Sequence, residues 1–180
     1  MLIKISLLLL SISLGLSFNA AADLALPDTI RAAQDLKVTM GECQADWSTV
    51  LGDSVARTFD LGRNVTLWLV PCARWSTNDN WSAYLTVKES SRPEGYITKP
   101  LFFVGYSLNQ KLRGESVIYN PIFNPSDLRL ESTYYPQDFG YCKSAARFVW
   151  HPGHQTFLLE SLLKKDDCQN ASTPMEPVYP

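Results

Sequence analysis

The chain has 180 residues, of which 46% are hydrophobic and 19% charged, and its formal net charge at pH 7 is -2. This length supports one sizeable core and hardly two domains. The apolar fraction excludes a disordered chain, and the slightly acidic balance leaves no electrostatic footprint for nucleic acid. We therefore expect a single domain that does not bind nucleic acid.

Residues 1–22 have the organisation of a secretory signal peptide. Lys4 precedes an apolar run from Ile5 to Leu16, and small residues follow at Ala20 to Ala22. A membrane anchor would need about 20 apolar residues, and this run is shorter. The sequence predicts export from the cytoplasm, cleavage after Ala22 and no membrane anchor in the mature chain.

The mature chain is predicted to begin with one short helix and to continue as strands. The helix is predicted over Thr29–Leu36, where apolar residues recur at helical spacing. From Cys43 onward, short runs rich in Val, Thr, Phe, Trp and Tyr alternate with turn residues, a pattern typical of antiparallel sheets. The predicted strands are Val55–Asp60, Thr66–Pro71, Ser82–Lys88, Leu101–Tyr106, Ser116–Ile122, Leu128–Tyr134, Ala145–Trp150 and Gln155–Leu162.

The last two predicted strands flank the turn sequence His151-Pro152-Gly153-His154. The chain should fold back at this turn and lay Phe148 and Trp150 near Phe157 and Leu159. Residues 23–168 are thus predicted to form one mainly β domain of antiparallel hairpins. Residues 169–180 contain three prolines and few apolar side chains, which predicts a disordered tail.

Four cysteines follow the predicted cleavage site, an even number that favours two disulfides in an exported chain. A zinc site would need close pairs such as C-x-x-C, and the spacings offer none. Three pairings are open. The sequential pairing, Cys43–Cys72 and Cys142–Cys168, is favoured because each pair encloses a hairpin-like segment.

The sequence contains no complete catalytic constellation. Leu51 to Val55 resembles the nucleophile block of the GDSL-type esterases, with Ser54 as the nucleophile. That family takes its base from a late D-x-x-H, and no Asp stands three residues before His151 or His154. The two histidines lie across a turn with no evident third ligand, so we expect exposed turn residues, no metal and no cofactor.

The stretch from Trp75 to Tyr84 is the best candidate for binding. As an amide-rich loop with aromatic ends, it would suit a sugar or a protein partner. In the alternative, Trp81 and Tyr84 begin a strand and face the core, which leaves only a polar turn. The candidate binding residues are Trp75, Asn78, Asp79, Asn80 and Trp81.

Two segments carry a resemblance to a known family. Leu67–Cys72 reads L-W-L-V-P-C, and the run Phe123–Cys168 contains F-N-P, G-Y-C, F-V-W and D-C in that order. These resemble the L-W-x-V-P-C segment and the C-terminal pattern of bacterial domain-of-unknown-function family 1176, although Tyr141 stands where that family has Asp. The resemblance implies a periplasmic location and disulfide bonds. It implies no activity or catalytic residue, because that family has no settled activity.

These observations favour a non-enzymatic binding protein of the bacterial envelope, such as an inhibitor or immunity-type protein directed against a hydrolase. A small, cross-linked frame suits the presentation of loops to a periplasmic protein partner or a glycan. One alternative is a small periplasmic hydrolase or glycan-binding protein, with Ser54 or a carboxylate pair at its site. Another is a structural envelope component without a discrete partner.

Overall fold

The structure is a computed structural model that describes residues 26–47, 56–106, 112–136 and 140–179. The predicted signal peptide, its cleavage site and Ser54 lie outside the described residues. One helix precedes twelve strands in the described part of the chain. In chain order these are α1 Asp28–Thr39, β1 Arg57–Asp60, β2 Val65–Trp75, β3 Asn78–Lys88, β4 Tyr96–Pro100, β5 Phe103–Tyr106, β6 Leu112–Glu115, β7 Val117–Tyr119, β8 Ile122–Asn124, β9 Arg129–Tyr134, β10 Lys143–His151, β11 Thr156–Lys165 and β12 Glu176–Tyr179.

The first sheet is built on the long β2–β3 hairpin. Its strand order is β1-β2-β3-β4, and β7 pairs with the first part of β3 beside β4. The register of β2 and β3 shifts between Pro71 and Ala73, where proline has no N–H for the ladder. Both faces of β2 and β3 are covered, which explains the nearly unbroken apolar run Leu67–Val70.

The second sheet has the strand order β12-β11-β10-β9-β8, and β5 and β6 form a separate two-stranded ribbon. The predicted hairpin at its centre is confirmed. Phe148 is the register partner of Leu159, and Trp150 is the partner of Phe157 with ring centroids 5.3 Å apart. Buried and more accessible residues alternate along β10, as expected for a sheet with one covered face.

Two apolar clusters hold the layers together. The main core contains Leu67, Leu69 and Trp81 of the first sheet together with Leu130 and Phe148 of the second. A second cluster packs α1 against the opposite face of the first sheet. Its buried members are Ile30, Trp47, Trp68, Val70 and Tyr84. The fold is therefore a three-layer arrangement of helix, sheet and sheet.

A buried glutamine fastens α1 to the first sheet. Gln34 is fully buried, and its Nε2 donates to the Pro71 carbonyl at 2.7 Å. The Tyr84 hydroxyl donates to Gln34 Oε1 at 2.8 Å. Both ends of the amide are thus satisfied by groups of β2 and β3, which permits a polar side chain in an apolar layer.

The sequential disulfide pairing is confirmed. Cys43–Cys72 joins the segment after α1 to β2, and Cys142–Cys168 joins the residue before β10 to the segment after β11. The mainly β fold with antiparallel pairing and a short N-terminal helix is confirmed as well. In the described residues, no helix has the length and apolar character needed to cross a membrane.

Several elements differ from those predicted. The strand predicted over Ser116–Ile122 is divided into β7 and β8 at Asn120, which has a left-handed φ of 45° and precedes Pro121. The residues 169–180, for which the composition indicated disorder, include the edge strand β12. Pro177 is tolerated there because an edge strand has one unpaired side, and Val178 packs against the main core.

Candidate functional site

The predicted binding stretch lies at the tip of the β2–β3 hairpin, and the interpretation of it as a loop is corrected. Trp75 ends β2 and Asn78 begins β3, so the turn between these register partners is two residues long. Trp81 is 2% exposed within the main core, and Tyr84 is buried beneath α1. The amide-rich segment is a strand because its backbone pairs with β2 and β7, whatever the propensity of its side chains.

Trp75 is the exposed aromatic residue of this tip, with 59% of its surface accessible. Beside it, Arg74 Nε donates to the Asp79 carboxylate at 3.0 Å across the hairpin. Because both partners are exposed, this ion pair contributes at most about 1 kcal/mol. The tip therefore presents an indole flanked by a cation and an anion.

Asn78 is committed to joining the two sheets. Its Nδ2 donates to the Tyr135 carbonyl at 2.7 Å, and the Tyr135 N–H donates to Asn78 Oδ1 at 3.0 Å. These two bonds imitate the backbone bonds that an antiparallel residue pair exchanges. Asn78 is 7% exposed, so it is not a ligand-binding group at the surface.

Asn120 completes the connection, and we call Asn78 and Asn120 together the asparagine clasp. Asn120 Nδ2 donates to the Thr133 carbonyl at 2.9 Å and to Asn78 Oδ1 at 3.2 Å. Asn120 Oδ1 accepts the Asp79 N–H at 2.9 Å. Asparagine is one of the few residue types that adopt a left-handed φ readily, so the same residue supplies the turn and the bonds.

The other flank of the hairpin tip is held by Gln44. The Gln44 N–H donates to the Cys72 carbonyl at 2.8 Å, and the Arg74 N–H donates to Gln44 Oε1 at 3.2 Å. Gln44 directly follows Cys43 of the first disulfide, which fixes its position. The tip is thus supported on one side by the clasp and on the other by a disulfide-anchored segment.

The five predicted binding residues therefore separate into two groups. Asn78, Asn80 and Trp81 are buried, whereas Trp75 and Asp79 reach the surface. Asn80 is 8% exposed, and its Oδ1 has no hydrogen-bond partner among the described residues. The surface that remains for a partner is the end of the hairpin.

A buried polar network lies between α1 and the first sheet. Lys37 Nζ donates to Ser82 Oγ at 3.1 Å and to the Ser116 carbonyl at 2.5 Å. Burial lowers the pKa of Lys37 to about 8, against the opposing effect of the Glu42 carboxylate. Burial also raises the pKa of Tyr84 to about 12. A serine beside a lysine of lowered pKa resembles a catalytic dyad, but Ser82 is fully buried and out of reach of a substrate.

A second surface feature, which the sequence did not indicate, is an open cleft of about 280 Å³ beside the Cys142–Cys168 disulfide. Lys143 and Lys165 form one wall, and the segment that contains Ala171 and Thr173 forms another. Lys165 Nζ donates to the Ala171 carbonyl at 2.8 Å and lies 5.5 Å from the centre of the Tyr141 ring. We call this the lysine cleft.

The remaining chemical candidates do not form a site in the described residues. His151 and His154 are exposed at the β10–β11 turn and stack with ring centroids 4.5 Å apart. Within residues 26–47, 56–106, 112–136 and 140–179 there is no group of three or more metal-ligating side chains. Ser54 of the esterase-like block lies outside these ranges.

Comparisons with protein-family models, with curated proteins and with solved structures found no match. The resemblance to domain-of-unknown-function family 1176 therefore stays a prediction from the residues. The geometry of the described residues offers the hairpin tip and the lysine cleft as two accessible features from which a function can be inferred.

Proposed function

We propose that the chain is an exported, periplasmic binding protein without catalytic activity, which presents the hairpin tip to a protein partner such as a hydrolase that it inhibits. The observation that carries this proposal is the exposed Trp75 at the end of the two longest described strands. The asparagine clasp and Gln44 hold that end in place from both flanks.

Rigid support of an exposed tryptophan favours binding for two reasons. Tryptophan is enriched among the residues whose truncation weakens protein interfaces most. Association also costs conformational entropy wherever a flexible segment has to be ordered, and the bonds of Asn78 and Asn120 order this tip before the partner arrives. Arg74 and Asp79 add opposite charges at the rim, which suit selection of one partner.

Export is supported by the two disulfides, since such bonds persist in oxidising compartments outside the cytoplasm. The signal-like organisation of residues 1–22 supports it independently. A partner in the periplasm agrees with the disulfides and with the signal-like segment. An inhibitory role also agrees with the position of the exposed Trp75 at the end of a hairpin.

The test is capture of a partner from periplasmic extract of the source bacterium with oxidised protein of residues 23–180. Trp75→Ala is compared with Phe102→Ala, a matched control because Phe102 is 66% exposed and lies outside the hairpin. Wild type and Phe102→Ala are expected to cross-link the same protein in stoichiometric yield, and Trp75→Ala is expected to lose it. Undiminished capture by Trp75→Ala, or capture of no protein by wild type, would contradict the proposal.

The hydrolase alternative is tested separately with the same preparation. Generic ester and peptidoglycan substrates are incubated with wild type and with Ser54→Ala. We expect no hydrolysis above background from either protein. Hydrolysis by wild type that is lost in Ser54→Ala would replace the binding proposal by an enzymatic one.

A further inference from the structure

We propose that the lysine cleft is a binding site for an anionic sugar, a carbohydrate ring that carries a carboxylate or a phosphate. The cleft does not contain Trp75, although Tyr135 both lines the cleft and bonds through its backbone to Asn78 at the hairpin tip. Its ligand is a small molecule or chain terminus rather than a folded protein. It therefore adds a second binding function that does not depend on the partner of Trp75.

The first observation is an unfavourable pair of charges. Lys143 and Lys165 are direct register partners in the β10–β11 ladder, and like charges placed opposite each other destabilise a sheet. Lys165 is 7% exposed, which adds a desolvation cost for its ammonium group. An anion placed between the two lysines would relieve both effects.

The second observation is that the nearby carboxylates are engaged elsewhere. Among the described residues, no carboxylate oxygen lies within 4.0 Å of the Lys143 or Lys165 ammonium group. The neighbouring Asp166 forms its ion pair with Lys164 instead. Asp167 is close enough to affect Lys165 electrostatically, but its oxygens accept bonds from Thr173 Oγ1 and from two backbone N–H groups. Within the described residues, no ion pair therefore neutralises the positive charge of the cleft.

The third observation is the character of the other walls. Tyr135 and Tyr141 line the cleft, and Tyr141 is 53% exposed. Aromatic side chains of this kind combine an apolar face with a polar end and suit the packing of a sugar ring. The cleft volume of about 280 Å³ lies just below the roughly 300–1,000 Å³ of sites for drug-sized ligands, so a single ring is the matching size.

The Cys142–Cys168 disulfide keeps the cleft formed without a ligand. It links the start of β10 to the segment that follows β11, and the Tyr141 N–H donates to the Cys168 carbonyl at 3.0 Å. Gly140 has a left-handed φ of 156°, and a Cβ there would lie 3.1 Å from the Cys168 carbonyl oxygen. The close approach of these two segments and the positive φ both favour glycine at this position.

The experiment is isothermal titration calorimetry of oxidised protein, residues 23–180, with glucuronic acid, glucose 6-phosphate, glucose and inorganic phosphate. NMR spectra of the same samples locate the bound ligand and show that each variant is folded. Lys143→Met removes one charge of the cleft, and Lys88→Met is the matched control because Lys88 is exposed and makes no ion pair within 4.0 Å in the described residues. Lys165→Met is the second variant.

Glucuronic acid or glucose 6-phosphate, or both, are expected to bind and to shift the amide signals of Tyr141 and Lys165, and the one that binds more tightly identifies the anion. Affinity should fall at least about tenfold in Lys143→Met, remain unchanged in Lys88→Met and decrease with added salt. If no probe binds up to about 10 mM, if glucose binds as well as its acid, or if phosphate alone binds as well as the sugars, the proposal is refuted. Unchanged affinity in folded Lys143→Met and Lys165→Met would refute it as well.

Discussion

Substitution of Asn120 by glycine should weaken the connection between the hairpin tip and the second sheet. Glycine keeps the left-handed φ of 45° but removes every side-chain bond of the clasp residue. The bonds to the Thr133 carbonyl and from the Asp79 N–H, both at 2.9 Å, are worth about 1 kcal/mol each. The longer bond to Asn78 Oδ1, and the flexibility of glycine in the unfolded chain, raise the expected loss to about 2–3 kcal/mol.

Asn64→Gly is the matched control, because Asn64 also has a left-handed φ, of 62°, and is exposed. Both variants share the effect of glycine on the unfolded chain, so their difference in urea denaturation isolates the side-chain bonds of Asn120 at about 2 kcal/mol. The Asp79 amide should also exchange hydrogen faster in Asn120→Gly. Free energies of unfolding that agree within about 0.5 kcal/mol would show that the side chain of Asn120 does not stabilise the junction of the two sheets.

Two further predictions concern the buried groups beneath α1. Gln34→Leu should lower the free energy of unfolding by about 2–4 kcal/mol in urea titration, because the Pro71 carbonyl and the Tyr84 hydroxyl both lose their hydrogen bond to Gln34. A loss below about 1 kcal/mol would contradict this. The folded state holds the Lys37 proton less tightly than the unfolded chain, whose lysine pKa is about 10.4, so this residue should make stability rise from about pH 8 to pH 10. Tyr84, with its pKa raised to about 12, lowers stability with rising pH, but only above about pH 10. If the free energy of unfolding of Lys37→Met rose with pH as steeply as that of wild type, the assignment to Lys37 would be refuted.

The features that the sequence predicted correctly are those encoded locally. The β10–β11 hairpin follows from a turn sequence between two runs of apolar residues, which brings Phe148 and Trp150 near Phe157 and Leu159. The exact register was not predicted, because the connection is formed by residues 152–155 rather than by residues 151–154. The disulfide pairing follows from the same reasoning, since each pair encloses a hairpin-containing segment. The helix was also located correctly, although it extends to Thr39 rather than Leu36.

The features that the sequence did not predict depend on distant partners. Asn78 and Asn80 have low strand propensity, and they lie in β3 because Asn120, about forty residues later, and β7 complete their surroundings. The strand β12 exists because the edge of β11 pairs with it, which no property of residues 169–180 reveals. The lysine cleft could not be predicted without the full length of β10 and β11, because Lys143 and Lys165 become register partners only at the far ends of these strands.

Whether Trp75 anchors a protein partner is decided most directly by the affinity of the captured partner for purified variants. Loss of a central tryptophan typically costs 2 kcal/mol or more, so Trp75→Ala should bind at least about 30-fold more weakly in calorimetry. Phe102→Ala, which removes an equally exposed aromatic side chain elsewhere, should bind within about threefold of wild type. Equal affinities of Trp75→Ala and wild type would contradict binding through the hairpin tip.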